Sequence, residues 1–423
     1  MTAATSVLST ALAGVPGLRD RLADLYRDLH SHPELSGAEH RTAAILADRA
    51  AALGCSVTDG VGGTGVVAVL ANGSGPTVLL RADIDALPVT EATGLSYASG
   101  TDGVMHACGH DLHATCLLGA LELLAGSRSG WSGTVLAVFQ PAEETGTGAQ
   151  AMIDDRFYHR FATPDVVLAQ HTGPFPVGVV GTHSGPFFAA TDALRVVLHG
   201  KGGHGSRPEA TVDPVVMAAA TVMRLQTVVS REIPAGDAAV VTVGSLHAGT
   251  THNVIPDDAE LQLNIRTFDP AVRSTVLAAV HRIVKAEAVA SGAQWDPEIS
   301  EITTFPVLSN DEAAVEKTSA ALAAVFGRDR IIDPGRVTGS EDAGIFATEA
   351  GVPLCYWLFG VLDPARFGSP DPVAGLTALL TGTIDAKSVP SPHSATYAPS
   401  LDAIDVGVTA MTTAALAWLD PSA

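Results

Sequence analysis

Apolar runs of strand length alternate with helical stretches in the first half of this chain, and this alternation restricts the fold more than any other feature. Strand-like runs cover residues 77–82, 134–140 and 166–170, and residues 111–125, between the first two, have helical spacing. Strands that alternate with helices are typical of a mainly parallel sheet covered by helices. We therefore predict an α/β fold for this part of the chain, preceded by helical residues 21–53 with a break at His32-Pro33.

The middle of the chain has a different order of elements. Its patterns predict strands at 193–199, 238–246 and 259–268 and helices at 213–229 and 271–290. This order resembles a split βαβ, ferredoxin-like α+β module. A chain of 423 residues is also too long for one ordinary core. We therefore predict one domain formed by residues 1–188 and 303–423, with a second domain inserted at 189–302.

Polar side chains follow each of the three predicted strands of the first half. Asp83 and Asp85 follow the first strand, Glu143 and Glu144 follow the second, and His171 follows the third. Ligand sites of open α/β sheets form beyond the carboxyl ends of the strands. The sequence therefore predicts a functional site at this edge of the sheet.

Cys108 and His110 provide a thiolate and an imidazole one residue apart, and Glu143-Glu144 provides two adjacent carboxylates. Such donors suit zinc, cobalt, nickel or manganese. One carboxylate can hold the metal while its neighbour moves a proton, as in a metallohydrolase. Taken singly, a buried cysteine or histidine can also be a packing residue, and two adjacent glutamates can form a solvated turn.

Other residues have a structural alternative beside the functional one. Arg81 shares a strand face with Asp83, so an ion pair competes with a metal-binding role for that carboxylate. His204 lies in a glycine-dense loop, and Arg266 is suited to clamp a substrate carboxylate, although it could be a surface arginine. Residues 60–65 match G-x-G-x-x-G, but a strand and a turn follow where a dinucleotide site needs a helix.

The formal net charge of −21 argues against nucleic acid and anionic membrane surfaces as partners. The four cysteines are scattered, which is unlike a disulfide scaffold and favours a reduced cytoplasm. The first twenty residues lack the basic start and apolar core of a signal peptide. No apolar run reaches the length of about 18 residues needed for a membrane span.

Ordered motifs extend over nearly the whole chain. They are LHSHPELSGAEHRTA (29–43), RADIDALP (81–88), VMHACGHDLHAT (104–115), QPAEETGTGA (140–149), QHTGP (170–174), HGKGGHGSRP (199–208), HNVIPDDAELQLNIRTFD (252–269), GSED (339–342) and SPHSATYAP (391–399). Together they resemble the aminoacylase / acetylornithine deacetylase / glutamate carboxypeptidase family. The closest branch is similar to the amidohydrolases that include hippurate hydrolase and the plant indole-acetyl-amino-acid hydrolases.

The resemblance implies a catalytic domain with an inserted lid that also forms a homodimer, and a site for two divalent ions of zinc, manganese, cobalt or nickel. The metal ligands that it implies are Cys108, His110, Glu144, His171 and His393. Glu143 corresponds to the general base, and Asp85 corresponds to an acid that orients the site. His204, Asn253 and Arg266 match lid residues that reach the substrate. Asp83 stands where other branches have a metal-binding histidine, so no ligand role is implied for it.

The resemblance implies hydrolysis of the amide bond of an N-acyl amino acid by a water molecule that two metals activate and Glu143 deprotonates. A dipeptidase or carboxypeptidase of the same family is the alternative with the same chemistry. A non-catalytic metal- or ligand-binding protein and a thiol hydrolase with Cys108 as nucleophile remain open as different classes.

Overall fold

The computed structural model describes residues 3–419, which divide into two compact units. The first unit contains the chain up to Gly185, Ser309–Gly335 and the chain from Asp342 onward. The second unit contains Pro186–Leu308 and Arg336–Glu341. Arg336–Glu341 therefore lies in the second unit, whereas the sequence places it in the catalytic domain. The catalytic and lid roles of the two units stay predictions.

Both units contain helices and strands. The helices are α1 (Ala3–Leu12), α2 (Val15–Ser31), α3 (His40–Ala52), α4 (His110–Gly126), α5 (Gly148–Asp154), α6 (Phe157–Arg160), α7 (Pro214–Glu232), α8 (Pro270–Ala290), α9 (Glu312–Phe326), α10 (Gly344–Ala350), α11 (Pro372–Leu380) and α12 (Asp402–Leu419). The strands are β1 (Ser56–Val61), β2 (Gly65–Asn72), β3 (Thr77–Asp83), β4 (Gly133–Gln140), β5 (Val166–Pro176), β6 (Val180–Thr182), β7 (Gly185–Phe188), β8 (Ala190–His199), β9 (Gly203–His204), β10 (Ala239–Ala248), β11 (Val254–Ile255), β12 (Asp258–Thr267), β13 (Glu298–Phe305), β14 (Leu308–Asn310), β15 (Ile331–Ile332) and β16 (Leu354–Leu362).

An eight-stranded sheet forms the centre of the first unit, with the strand order β1-β2-β4-β3-β5-β16-β6-β15. Its central strands β4, β3, β5 and β16 are parallel to one another, and antiparallel strands join them on both sides. The predicted α/β fold with a mainly parallel sheet is confirmed. The central strands are nearly continuous apolar runs because helices cover both faces of such a sheet.

The sheet places the segments with candidate site residues at one edge. Asp83 at the end of β3 is paired with Gln140 at the end of β4, and Arg81 is paired with Ala169 of β5. Helix α4 packs against β3, α2 and α12, and residues on all its faces are buried, as in an interior helix. Its first residue, His110, therefore begins the helix inside the protein, beside the strand ends.

The second unit has the order β8-α7-β10-β12-α8-β13, with an antiparallel sheet in the order β10-β12-β8-β13. This is the connectivity of a split βαβ module. Its fourth strand, β13, is absent from the sequence prediction. The residues of β13 are mostly polar and exposed because it lies at the edge of the sheet, so it has no apolar run to detect.

The glycine-rich segment at residues 60–65 is the turn of the β1–β2 hairpin. Gly62 has a φ of +64°, and a Cβ there would lie 2.5 Å from the backbone nitrogen of Met152. The glycines thus permit a tight turn and a close backbone contact.

Every helix in the described part of the chain is too short or too polar to span a membrane.

Candidate metal centre

Separate segments of the first unit meet at the carboxyl edge of its sheet. Cys108 lies in the loop before α4 and His110 is the first residue of α4. The loop after β4 contributes Glu143 and Glu144. His171 projects from β5, and Cys108, His110 and Glu143 are buried like it.

His393 reaches this cluster from a distant part of the sequence. Its backbone N–H donates to the carbonyl oxygen of Ala107 (2.8 Å), one residue before Cys108. Its Nε2 lies 3.3 Å from Oε2 of Glu144. His393 has a φ of +70°, which is unusual for a residue with a side chain, and its side chain is 58% exposed. The exposed imidazole marks the open side of the cluster.

The polar atoms of the cluster face one another at short distances. Cys108 Sγ lies 3.4 Å from His171 Nε2. His110 Nε2 lies 3.8 Å from Glu144 Oε1 and 3.9 Å from Glu143 Oε2. The ligand atoms of Cys108, Glu144 and His393 lie within 4.8 Å of one another, and so do those of His110, Glu143 and Glu144.

Two atoms of this cluster indicate whether its residues suit a metal ion. Both His110 Nε2 and Glu144 Oε1 are buried, and among the residues that the structure describes neither atom has a hydrogen-bond partner. Buried polar atoms are almost always satisfied, because an unsatisfied one costs free energy. A divalent cation between the two side chains would satisfy both. The residues present therefore fit the metal-binding role that their chemistry suggests.

Asp85 orients His110. Its Oδ1 lies 3.0 Å from His110 Nδ1, while its Oδ2 accepts from Ser36 Oγ (2.7 Å) and from the backbone N–H of Glu144 (3.0 Å). Burial alone would raise the pKa of Asp85, but these bonds lower it. Burial also opposes the charged form of His110, yet the carboxylates of Asp83 and Asp85 raise its pKa to about 10. A coordinated cation would displace that proton, because a histidine ligand must be neutral. Asp85 thus directs His110 Nε2 toward Glu143 and Glu144.

The environment also sets the protonation of Cys108 and His171. Burial raises the pKa of the Cys108 thiol well above its usual value, and the charges of Glu144 and Glu143 raise it further. A coordinated cation has the opposite effect, because it deprotonates a thiol ligand. Burial lowers the pKa of His171 to about 4, so its imidazole is neutral at neutral pH, as a metal ligand must be.

Asp83 is held in an ion-pair network. Arg81 Nη1 donates to its Oδ2 (2.7 Å), and His113 Nδ1 lies 2.5 Å from its Oδ1. The other nitrogens of Arg81 donate to Gln140 and to Asp342. The structure therefore contains the ion pair between Arg81 and Asp83 that the sequence left open as an alternative. Asp83 Oδ2 also lies 3.7 Å from His110 Nε2.

The predicted substrate residues lie in the second unit. His204 and Asn253 are close together, because β9 pairs with β11 and the N–H of Gly205 donates to the carbonyl of Asn253 (2.9 Å). Ser206 holds His204 Nδ1 through its N–H and its hydroxyl. Arg266 belongs to the four-stranded sheet.

The guanidinium of Arg266 is fixed by its neighbours. It donates to Asn264 Oδ1 (2.9 Å), to the carbonyl of Thr338 (3.1 Å) and to Ser340 Oγ (2.9 Å). Partial burial lowers its pKa. Arg266 is therefore an oriented, half-buried cation and not a mobile surface arginine.

Sequence reasoning missed two residues of the centre, His113 and Thr172. His113 faces Asp83 and accepts from the N–H of Thr172 (2.8 Å). Its spacing of three from His110 puts both on one face of α4, which was an available signal. Thr172 had no signal beyond its position next to His171.

Comparisons with known proteins find matches over most of the chain. The model of peptidase family M20/M25/M40 matches residues 79–383. N-acetyl-L-cysteine deacetylase of Bacillus subtilis is 38% identical over 349 residues, which are 81% of this chain and 81% of that protein. Thermostable carboxypeptidase 2 of Saccharolobus solfataricus is 36% identical over 83% of this chain and 88% of that protein. Hippurate hydrolase of Campylobacter jejuni is 36% identical over 77% of this chain and 85% of that protein.

A solved structure from Bacillus subtilis, described as a dinuclear metal binding peptidase from the M20 family, has the same fold. Its TM-score is 0.75 at 28% sequence identity, and the match covers 96% of this chain and 99% of that chain. These matches confirm the family resemblance inferred from the motifs. The description of that structure names a dinuclear metal site in the Bacillus subtilis protein and does not identify the metal.

Proposed function

Since the chain belongs to peptidase family M20/M25/M40, we propose that it is a metal-dependent amidohydrolase that cleaves the amide bond of N-acyl amino acids. One observation supports this most directly. Glu143 and Glu144, adjacent in the chain, both face His110 Nε2, while Glu144 also faces His393. One carboxylate would hold metal, and its neighbour would move a proton beside it.

The residues that would hold two divalent ions are Cys108, His110, Glu144, His171 and His393. When bound, ions such as zinc, manganese, cobalt or nickel polarise a carbonyl group and lower the pKa of water. Asp85 would keep His110 in the orientation that its ligand role needs.

Glu143 would act as the general base. Its carboxylate would take a proton from the attacking water as the carbon–oxygen bond forms at the amide carbonyl. It would return that proton to the nitrogen as the carbon–nitrogen bond breaks, which leaves a carboxylate and a free amino acid. Its burial suits this role, because a base shielded from bulk water transfers the proton directly to the leaving nitrogen.

Substrate recognition would involve the second unit. Arg266 would bind the carboxylate of the amino acid. Asn253 and His204 lie beyond the other end of β12, so they would reach the substrate from a second copy of the chain, where His204 would stabilise the developing oxyanion. The bonds that Arg266 makes to Asn264 and Ser340 support this role, since an oriented cation loses little entropy on binding. This unit would be the lid, and the first unit would be the catalytic domain.

The second unit would also form a homodimer. It exposes apolar side chains on α7 and β10, among them Val216 (63% exposed), Met223 (71%) and Val240 (48%). Strand β10 is an edge of its sheet, with backbone groups that a second strand can pair. Sedimentation of the full chain tests this.

We also propose a reduced cytoplasm as the location. The four cysteines support it, because all of them are free of disulfide bonds.

Glu143→Gln tests the proposed mechanism. Metal content should be retained, and turnover of N-acetyl, N-benzoyl and indole-acetyl amino acids should fall by roughly 10²- to 10⁴-fold, the usual contribution of a general base. Glu122→Gln on α4, where Glu122 is paired with Arg21, is the matched control and should keep full activity. Normal turnover by metal-loaded Glu143→Gln protein would contradict the assignment.

A dipeptidase or carboxypeptidase is the second candidate, because one relative is a carboxypeptidase. Plain dipeptides and N-acyl amino acids in the same assay separate the two, since only the former have a free α-amine. A thiol hydrolase is opposed by the raised pKa of Cys108, which disfavours a free thiolate nucleophile. Loss of activity with a chelator and its return with metal would exclude that candidate.

A further inference from the structure

Thr172 bonds to three different parts of the candidate metal centre. This residue follows His171 in β5 and is buried. Its carbonyl oxygen accepts from His171 Nδ1 (2.7 Å), and its hydroxyl donates to the carbonyl oxygen of Cys108 (2.8 Å). Its backbone N–H donates to His113 Nε2 (2.8 Å). A single residue therefore connects two candidate ligands and one buried histidine.

The bond to His171 determines which imidazole nitrogen is left for a metal. A carbonyl oxygen only accepts, so His171 Nδ1 must carry the proton. Nε2 is then the nitrogen with a free lone pair, and it is the atom that faces Cys108 Sγ at 3.4 Å. Thr172 thus sets the tautomer and the direction of one candidate ligand.

The bond to Cys108 holds the loop of the second candidate ligand. The hydroxyl of Thr172 donates to the carbonyl oxygen of Cys108, and the methyl group of Thr172 lies against Gly109. A Cβ on Gly109 would lie 2.8 Å from Thr172 Cγ2. The loop can therefore approach β5 this closely only because residue 109 is glycine, whose φ is +85°.

The bond to His113 has a defined protonation as well. Since the N–H of Thr172 donates to Nε2, the proton of neutral His113 must be on Nδ1, from which it is donated to Asp83 Oδ1 (2.5 Å). Asp83 is anchored by Arg81 through a bond of 2.7 Å. A buried series of bonds, Arg81–Asp83–His113–Thr172, therefore ties the backbone of β5 to β3 and α4.

We propose that Thr172 and His113 are positioning residues that set the separation and direction of Cys108 and His171 as metal ligands. Thr172 acts through its hydroxyl on Cys108 and through its backbone on His171. His113 acts by holding that backbone in place. This inference rests on the proposed ligand roles of Cys108 and His171. Both ring nitrogens of His113 already have partners, Asp83 and Thr172, so it would act through them.

The test is a titration of the metal-stripped full-length protein with cobalt(II). Binding is measured by the near-ultraviolet absorption band of the thiolate–cobalt bond. Thr172→Val removes the hydroxyl at nearly constant volume, and Thr172→Ser restores it. His113→Gln keeps an acceptor near the position of Nε2, whereas His113→Asn keeps a donor near Nδ1 and loses that acceptor. Thr221→Val is the matched control, because it removes a buried hydroxyl bonded to Met217 in α7 of the second unit.

We expect Thr172→Val and His113→Asn to bind cobalt roughly 10- to 100-fold more weakly, with a shifted thiolate band, as removal of such supporting bonds does elsewhere. Thr172→Ser, His113→Gln and Thr221→Val should stay near the wild-type affinity and spectrum. Circular dichroism identifies any variant that does not fold, and the Ser and Gln variants then decide the outcome.

Two failures are distinguishable. Absence of a thiolate band in the wild-type protein would refute the proposed ligand role of Cys108. A wild-type band that is unchanged in Thr172→Val and His113→Asn would overturn the positioning roles alone. Equal losses in His113→Gln and His113→Asn, or in Thr172→Ser and Thr172→Val, would also overturn them, since the restored hydrogen bond would then have no effect.

Discussion

Replacement of Arg81 by methionine should destabilise the first unit strongly. Arg81 is fully buried and donates to Asp83 Oδ2 (2.7 Å), Asp342 Oδ1 (3.0 Å) and Gln140 Oε1 (2.8 Å). Methionine fills similar space but leaves two buried carboxylates without this cation. Removal of one partner from a buried ion pair costs about 3–5 kcal/mol. Such a loss is a large share of the roughly 5–15 kcal/mol by which domains are stable.

The measurement is urea unfolding followed by the fluorescence of Trp131 and Trp357, which are buried in the first unit. A loss of about 4 kcal/mol lowers the urea midpoint by more than 1 M for an m-value of about 3 kcal/mol/M. Arg21→Met is the matched control, because Arg21 is 62% exposed and pairs with Glu122 at the surface. Such a surface pair contributes about 0–1 kcal/mol.

The pH dependence provides a second check. Burial alone would raise the pKa of Asp83, but the positive charges around it, among them His110 and Arg81, hold it well below its usual range. In Arg81→Met, burial is less opposed and the pKa of Asp83 rises, so its protonation relieves the penalty as pH falls. The difference from wild type should therefore shrink at lower pH. A loss below about 1 kcal/mol at neutral pH would refute the assignment of a stabilising buried network.

Two further predictions concern residues beside the centre. His30 is buried between Asp111 and Glu91; burial opposes its charge, but these carboxylates raise its pKa from 6.5 to about 10. Its charged form therefore contributes stability below pH 6.5, and this stability is lost as pH rises through 10. The urea midpoint of the wild type should fall over this range, and that of His30→Gln should change less with pH. Parallel curves for the two proteins would contradict this prediction. Gly109→Ala should cost about 1–3 kcal/mol or more in urea unfolding, because an unfavourable φ adds to the contact with Thr172. Gly103→Ala measures the backbone cost alone, because Gly103 has a φ of +72° and, apart from its chain neighbours, no atom of the described residues would lie within 4 Å of a Cβ there. Equal losses in the two variants would show that the contact has no effect.

Much of the fold was predictable because its signals are local. The central strands β3, β4 and β5 are apolar runs, and the helix beginning at His110 has helical spacing. Strand β13 escaped prediction because a polar edge strand has no apolar pattern. The hairpin at Gly62 could be distinguished from a nucleotide loop because a strand follows it in the sequence.

The sequence by itself determined the donor types of the centre and their order. Cys108-x-His110, Glu143-Glu144 and His171 at strand or helix ends predict a metal site, because the edge of a parallel sheet collects such residues. Only the tertiary structure decided which groups meet across long sequence separations. It brings His393 to Glu144, gives Asp83 to Arg81 and His113 as partners, and makes Thr172 the link between Cys108 and His171. Hydrogen-bond partners depend on packing in three dimensions, which no local pattern of residues encodes.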